Sequence, residues 1–225
     1  VEKILAEDGI LLLEFADLAS IIKYNMFDTF CHEHLEYYSA KIIQEMSSKN
    51  NLRIFNVAQN NINGGSVQFY ICKQKAKYKD NVAALKKIHR TDKKYKLDQV
   101  ATYKKFIERV NKIKNSLKIF IKKAKANNKI IHGYGASTKG NVLLQYFGLS
   151  NKEISYIAER NPKKYNLYTP GTKIKIISEK DSRAMKPDYY LVLPWHFKNE
   201  IIKREKKDFN NKSKFIFPLP NLRIY

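Results

Sequence analysis

Two cysteines, one tryptophan, eight glycines and six prolines in 225 residues are few, and each shortage excludes something. Cys31 and Cys72 cannot build a disulfide framework and show no paired ligand spacing. No stretch approaches the roughly 18 uninterrupted apolar residues of a membrane span. The longest early run, "GILLLEF", has the length of a strand, and no basic stretch or cleavage site frames it as a signal peptide. The expectation is a soluble, cytoplasmic protein with no membrane partner. Acidic residues are scarce too: 21 Asp and Glu face 43 Lys and Arg, a formal net charge of +22. Such a charge invites a nucleic-acid reading. The excess is mostly lysine, however, dispersed along the chain among asparagine and isoleucine, the drift of an AT-rich coding sequence. Arginine, which reads base edges bidentately, is scarce. The densest stretch, "KKIHRTDKKYK", reads as a solvated helix or linker, and no specific nucleic-acid partner is expected.

What is present suffices for a core: 44% of residues are apolar and 12% aromatic. "VEKILAEDGILLLEF" reads as a helix end, a turn at Asp8-Gly9 and a strand from Ile10 to Leu13, as if the chain began inside an α/β unit and were a fragment. Ser39 is placed to cap a helix with Ile42, Ile43 and Met46 on one face. "LRIFNVA" and "SVQFYICKQ" have strand character, and Asn63-Gly64-Gly65 between them suits an antiparallel pair. From Ala76 to Asn127 apolar residues recur every three or four positions, as at Leu97, Val100, Tyr103, Ile107, Val110, Ile113, Leu117 and Ile121, and predict one long helix connecting two domains. Beyond it, "KIIHGYGASTKGNVLLQYFGL", "ISYIAERN", "TKIKIIS", "PDYYLVLPW", "FKNEIIKREKKDF" and "KFIFPLP" alternate strands with helices or loops. That pattern implies an α/β fold with a doubly wound parallel sheet.

Two stretches carry chemistry. A strand, then Gly133-Tyr134-Gly135, then a helix is the geometry that offers backbone N–H groups to a phosphate. Ser137 and Thr138 add hydroxyls, and Lys139 adds a mobile charge. Thr138 stands where GxGxxG needs its third glycine and also in the second glycine slot of a Walker loop, with Gly140 in that loop's Ser/Thr slot. Neither NAD binding nor ATP hydrolysis is supported, and a turn that merely packs strand against helix stays open. Glu159, ending the next strand, sits where such folds bind a ribose hydroxyl, or is a solvated strand end. The second stretch is "CHEHLEYYS", Cys31 to Ser39. HExxH fails because Glu36 fills the second histidine's slot, and a His-x-His pair has no third ligand at a recognisable spacing. A proton-transfer site needs one imidazole and an orienting carboxylate, Glu33 or Glu14. A polar loop explains the residues equally well.

"FDTFCHEHLEYYS", "NGGSVQFYI", "GYGASTKGNVLLQYFGL", "IAERNPKKYNLYTPGT" and "PDYYLVLPWHFKNEI", in this order, resemble the SAM-dependent C-methyltransferases of nucleotide-linked keto-deoxysugars. The resemblance implies that residues 1–75 are the C-terminal part of a class I SAM-methyltransferase domain, 76–127 a helical connector, and 128–225 a Rossmann-like C-terminal domain. It places the SAM glycine loop and a zinc-binding region upstream, so that this chain alone would be incomplete, hold no metal, and depend on an N-terminal domain of the same or another chain. It implies that His34 removes the C3 proton of a 4-keto sugar, that Glu33 helps hold the substrate, and that the enolate attacks the SAM methyl group. Cys31 stands where the family has tyrosine, a better hydrogen-bonding group than a thiol; His32 receives no role. The glycine turn gains a ligand, the diphosphate of the sugar nucleotide, with Gly133, Gly135, Ala136, Ser137, Thr138, Lys139, Glu159 and Tyr168 as contacts. "LYTPGT" and "PWH" are expected near the same sheet edge. The remaining readings are a sugar-nucleotide-binding module or inactive remnant, a basic nucleic-acid-binding protein, and an NAD-dependent enzyme.

Overall fold

The computed structural model describes residues 1–208 and 213–225, and the chain forms two compact units. One comprises residues 1–24 and 35–106, the other residues 25–34 and 107–225.

In the first unit, strand β1 (Leu11–Ala16) leads into helix α1 (Leu18–Tyr24), and α2 (Ala40–Lys49) precedes β2 (Leu52–Asn60), β3 (Ser66–Lys73) and α3 (Val82–Tyr95). The late strand β3 lies between β1 and β2, antiparallel to both. The β2–β3 connection turns through Asn63, Gly64 and Gly65, all at positive φ. Only glycine fits at 65, where a Cβ would come within 2.7 Å of the Ser20 side chain. Ser39 caps α2 as expected, but Ile42 and Met46 are exposed, and the buried stripe is Ala40, Ile43 and Ser47. Ala40 and Ile43 pack with Ile54, Val57, Val67, Phe69 and Ile71 of the sheet and Ile88 of α3. The helix expected across 76–127 is two: α3, and α4 (Val100–Ala126), parted by Lys96 in a left-handed conformation. Because Ile88 belongs to the first core, α3 is part of that unit, whose boundary falls inside α4.

The second unit is a six-stranded sheet: β4 (Ile131–Tyr134), β5 (Tyr156–Glu159), β6 (Lys175–Ser178), β7 (Tyr189–Val192), β8 (Lys214–Phe217) and the unexpected β9 (Arg223–Ile224). The order is β6-β5-β4-β7-β8-β9; all pairs are parallel except β8 with β9. The chain thus winds outward from β4 in both directions, the α/β arrangement foreseen, with its switch point between β4 and β7. Helices α5 (Thr138–Phe147), α6 (Glu179–Ala184) and α7 (Lys198–Asp208) complete it. The helix predicted over "FKNEIIKREKKDF" ends at Asp208; its Phe209 lies outside the described residues. Glycines allow close approach within the sheet and against it. A Cβ on Gly133 would collide with the side chain of its β5 neighbour Ile157, and one on Gly140 would meet Leu193 Cβ at 2.8 Å. Gly140 thus does the close-packing work that GxGxxG assigns to its third glycine.

Residues 25–34 fold into this second unit. Phe27 stacks on Phe147 with ring centroids 4.9 Å apart. The Asn25 side chain donates to the Pro220 carbonyl at 3.0 Å and accepts from Arg109 Nε at 2.9 Å. Trp195 Nε1 donates to Asp28 Oδ2 at 2.8 Å.

Candidate functional site

Open α/β sheets bind ligands beyond the carboxyl ends of their strands, at the switch point. A cavity of about 530 Å³ lies there. Tyr134 to Ser137 line it after β4, Glu159, Arg160 and Lys164 after β5, Glu179 after β6, and Pro194 and Phe197 after β7. Glu200, Ile201 and Arg204 of α7 close it. Beneath it lies a charge network. Glu205, almost wholly buried, accepts from Tyr134 Oη at 2.5 Å and from Arg183 at 3.0 and 3.1 Å. Arg204 bridges Glu205 and Glu179 and lies over the Tyr134 ring. Burial pushes the Glu179 carboxyl up, and the Arg183 guanidinium opposes it.

The glycine turn is already engaged. The Gly135 N–H donates to the Ala158 carbonyl at 2.8 Å, and the Ala136 N–H donates to Glu159 Oε2 at 2.6 Å. Glu159 Oε1 accepts from the Arg160 and Asn161 N–H groups. Lys164 Nζ donates to the Ala136 carbonyl at 2.6 Å, so Glu159 at the end of β5 and Lys164 beyond it hold Ala136 from both sides. Ser137 Oγ caps α5 by accepting from the Gly140 N–H. Of the residues anticipated at a nucleotide, Gly135, Ala136, Ser137 and Glu159 line one cavity, whereas Gly133 is committed to sheet packing. Thr138 begins α5 beside them without lining the cavity.

Two placements differ from expectation. Tyr168 bridges to Lys175, the first residue of β6, so "LYTPGT" runs back along the amino ends of the strands. It is at the opposite edge from the cavity because Asn166 and Leu167 pair with Ile176 in antiparallel fashion. Lys139 does not line the cavity either. It is half-buried within electrostatic reach of Asp28, Cys31 and His196. Burial lowers the pKa of its ammonium, and Asp28 and Cys31 oppose that shift.

Asp28 is the centre of that neighbourhood. Its side chain is fully buried, Oδ2 accepts from Trp195, and Oδ1 has no hydrogen-bond partner among the described residues. Burial pushes its carboxyl up to about 6, against the pull of Trp195 and Lys139. His196 Nδ1 is likewise buried without a partner among the described residues, and burial, then Lys139, takes its pKa down to about 4. Three residues on in the same segment, half-buried Cys31 is followed by exposed His32, Glu33 and His34. His32 and Glu33 make only a 3.8 Å exposed contact. His34 Nδ1 lies 2.9 Å from the Thr29 carbonyl. A carbonyl can only accept, so Nδ1 is the donor in this contact. The local residues did not reveal Asp28, Arg160, Lys164, Glu179 or Arg204. "FDTF" and "ERNPKK" adjoin the quoted motifs, which was the one available signal.

Among the described residues no group of three or more His, Cys, Asp or Glu could hold a metal ion. None of the helices described is long and apolar enough to cross a membrane. A scan of family models matches residues 61–220 to the C-methyltransferase C-terminal domain. The chain belongs to this family. It is also 30% identical over 224 residues to the C-methyltransferase NovU of Streptomyces niveus, covering 100% of this chain and 53% of that protein. The chain therefore spans about half the length of the curated relative it matches.

Proposed function

We propose that this chain binds a nucleotide-linked 4-keto-deoxysugar and removes its C3 proton, as part of a C-methyltransferase. The observation that carries the proposal is the orientation of His34. Its Nδ1 is held on the Thr29 carbonyl, so Nε2 is the ring nitrogen that would exchange a proton with a substrate, on a segment belonging to the same unit as the switch-point cavity. The C4 ketone acidifies the C3–H bond. His34 Nε2 takes that proton, the electron pair passes into the enolate, and the Nδ1–H bond to the Thr29 carbonyl strengthens as the ring becomes cationic. Glu33 helps hold the sugar, and Cys31 takes the place of a hydroxyl-bearing neighbour. Lys139 acts on this segment's electrostatics.

S-adenosylmethionine, which methyltransferases generally use, would supply the methyl group. The first unit's order β1-β3-β2 supports reading it as the end of a class I methyltransferase domain. Among its described residues, however, no strand–glycine turn–helix cradle fits the donor; β1 enters α1 through the Asp17 cap instead. This chain's part in the reaction ends at the enolate, and the donor site belongs to another part of the protein or another chain. The same observation favours a second reading, a sugar-nucleotide-binding module without chemistry of its own.

Calorimetric titration with nucleoside diphosphates, thymidine diphosphate among them, and with NAD for comparison tests the binding half. Saturable binding of a nucleoside diphosphate that NAD does not reproduce is the expected result. Heat from none of them would sink both readings.

A further inference from the structure

We infer that Asp28 is a positioning residue for the proton transfer: its buried carboxylate clamps the segment that carries His34 to the loop after β7 and to the start of α5. The inference rests on the base reading above and goes beyond it, because that reading gives Asp28 no part.

Three elements meet at this carboxylate. Oδ2 accepts from Trp195 Nε1, 167 positions away in the chain. Lys139, in the first turn of α5, stands within electrostatic reach of Asp28 and Cys31, and Phe27 stacks on Phe147 farther along the same helix. The residue after Asp28 is Thr29, whose carbonyl accepts from His34 Nδ1 at 2.9 Å and from the Cys31 N–H at 3.0 Å. Whatever fixes Asp28 therefore fixes the peptide on which the His34 ring is held. The loop after β7 has a second face: Pro194 and Phe197, on either side of Trp195, line the cavity. Asp28 thus ties the support of His34 to the wall of the ligand cavity.

Packing alone does not call for a carboxylate here. An Asn side chain would accept the same hydrogen bond from Trp195 while carrying no charge into the interior. Elsewhere the chain surrounds a buried carboxylate with donors. Asp17 accepts from the Ala19 and Ser20 N–H groups and from Ser20 Oγ, and Glu205 accepts from Tyr134 and Arg183. Asp28, wholly buried, has one neutral donor on Oδ2 and none on Oδ1 among the described residues. What its charge adds is attraction for the Lys139 ammonium, which burial strengthens. The arrangement lowers stability and orders the segment, as expected at a functional position.

The test follows deuterium entering C3 of a thymidine-diphosphate-linked 4-keto-deoxysugar in D2O, with the protein carrying this chain and no methyl donor, beside urea titrations. Asp28→Asn should be at least as stable as its parent, with the saturating exchange rate lower by about tenfold or more. The half-saturating sugar concentration should change by about twofold at most. A residue that only packs would lower the rate, if at all, in step with stability. Lys139→Met should lower the saturating rate by a similar factor, and the double variant should be little slower than either single one. Parental exchange by Asp28→Asn, a loss matched by lost stability, or losses that multiply in the double variant would overturn the positioning role while leaving the base reading intact. Exchange no faster than in buffer for the unaltered protein would overturn both.

Discussion

The two units differ in one respect at their buried polar groups. In the first, the buried polar side chains find hydrogen-bond partners. Asp17 caps α1 by accepting from the Ala19 and Ser20 N–H groups and from Ser20 Oγ. Ser47 donates to the Ile43 carbonyl, and Asp92 accepts from the Lys41 N–H. In the second, one oxygen of Asp28 and one nitrogen of His196 are buried without a partner among the described residues. A carboxyl at about 6 and an imidazole at about 4 then stand near a half-buried lysine. Folding alone gains nothing from such an arrangement, because an unsatisfied buried group costs free energy. The unpartnered Asp28 and His196 atoms lie in the unit that also lines the cavity, and such groups cluster at functional sites.

Four substitutions test this contrast. His34→Ala has the largest effect: methyl transfer by the protein carrying this chain should fall by about 100-fold or more, the usual worth of a general base. Nucleotide affinity measured by calorimetry should not change. Asp28→Asn comes next. With its folded pKa raised to about 6, Asp28 is more readily protonated folded than unfolded, so its charge destabilises the fold above that pH and ceases to as pH falls toward the ordinary value near 4. The variant should be more stable than its parent by about 2–3 kcal/mol at pH 7.5, and urea titrations should show that gain vanishing by about pH 4. A pH-independent difference would mean that Asp28 is not strained. Trp195→Phe strips the donor from Asp28 and should cost about 1–3 kcal/mol; combined with Asp28→Asn, the cost should shrink. Asp17→Ala, the first-unit control, should cost about 1 kcal/mol as an ordinary lost cap without altering nucleotide affinity. If Asp17→Ala weakened nucleotide binding while Trp195→Phe left stability untouched, the contrast would collapse.

Much of the second unit was legible in the sequence, because parallel strands buried on both faces read as short apolar runs. "IIHGY", "YYLVL" and "KFIF" are such runs. The glycine turn was legible as a turn, but its partner was not: nothing local says that Glu159 will reach the Ala136 amide across 23 positions of chain. "LYTPGT" announces a turn without saying which edge of the sheet it occupies, and antiparallel pairing along β6 decided that. The amphipathic spacing across 76–127 was real, yet periodicity does not register a single left-handed residue such as Lys96. Least legible was the membership of residues 25–34. They lie between two pieces of the first unit in sequence and fold with the second, through partners as distant as Trp195 and Pro220.

The most direct measurement needs no methyl donor. The chain would be incubated in D2O with a nucleotide-linked 4-keto-deoxysugar, and deuterium entering C3 followed by NMR. The account predicts wash-in faster than in protein-free buffer, lost in His34→Ala while nucleotide binding persists. Exchange no faster than in buffer, or equally fast without His34, would contradict it.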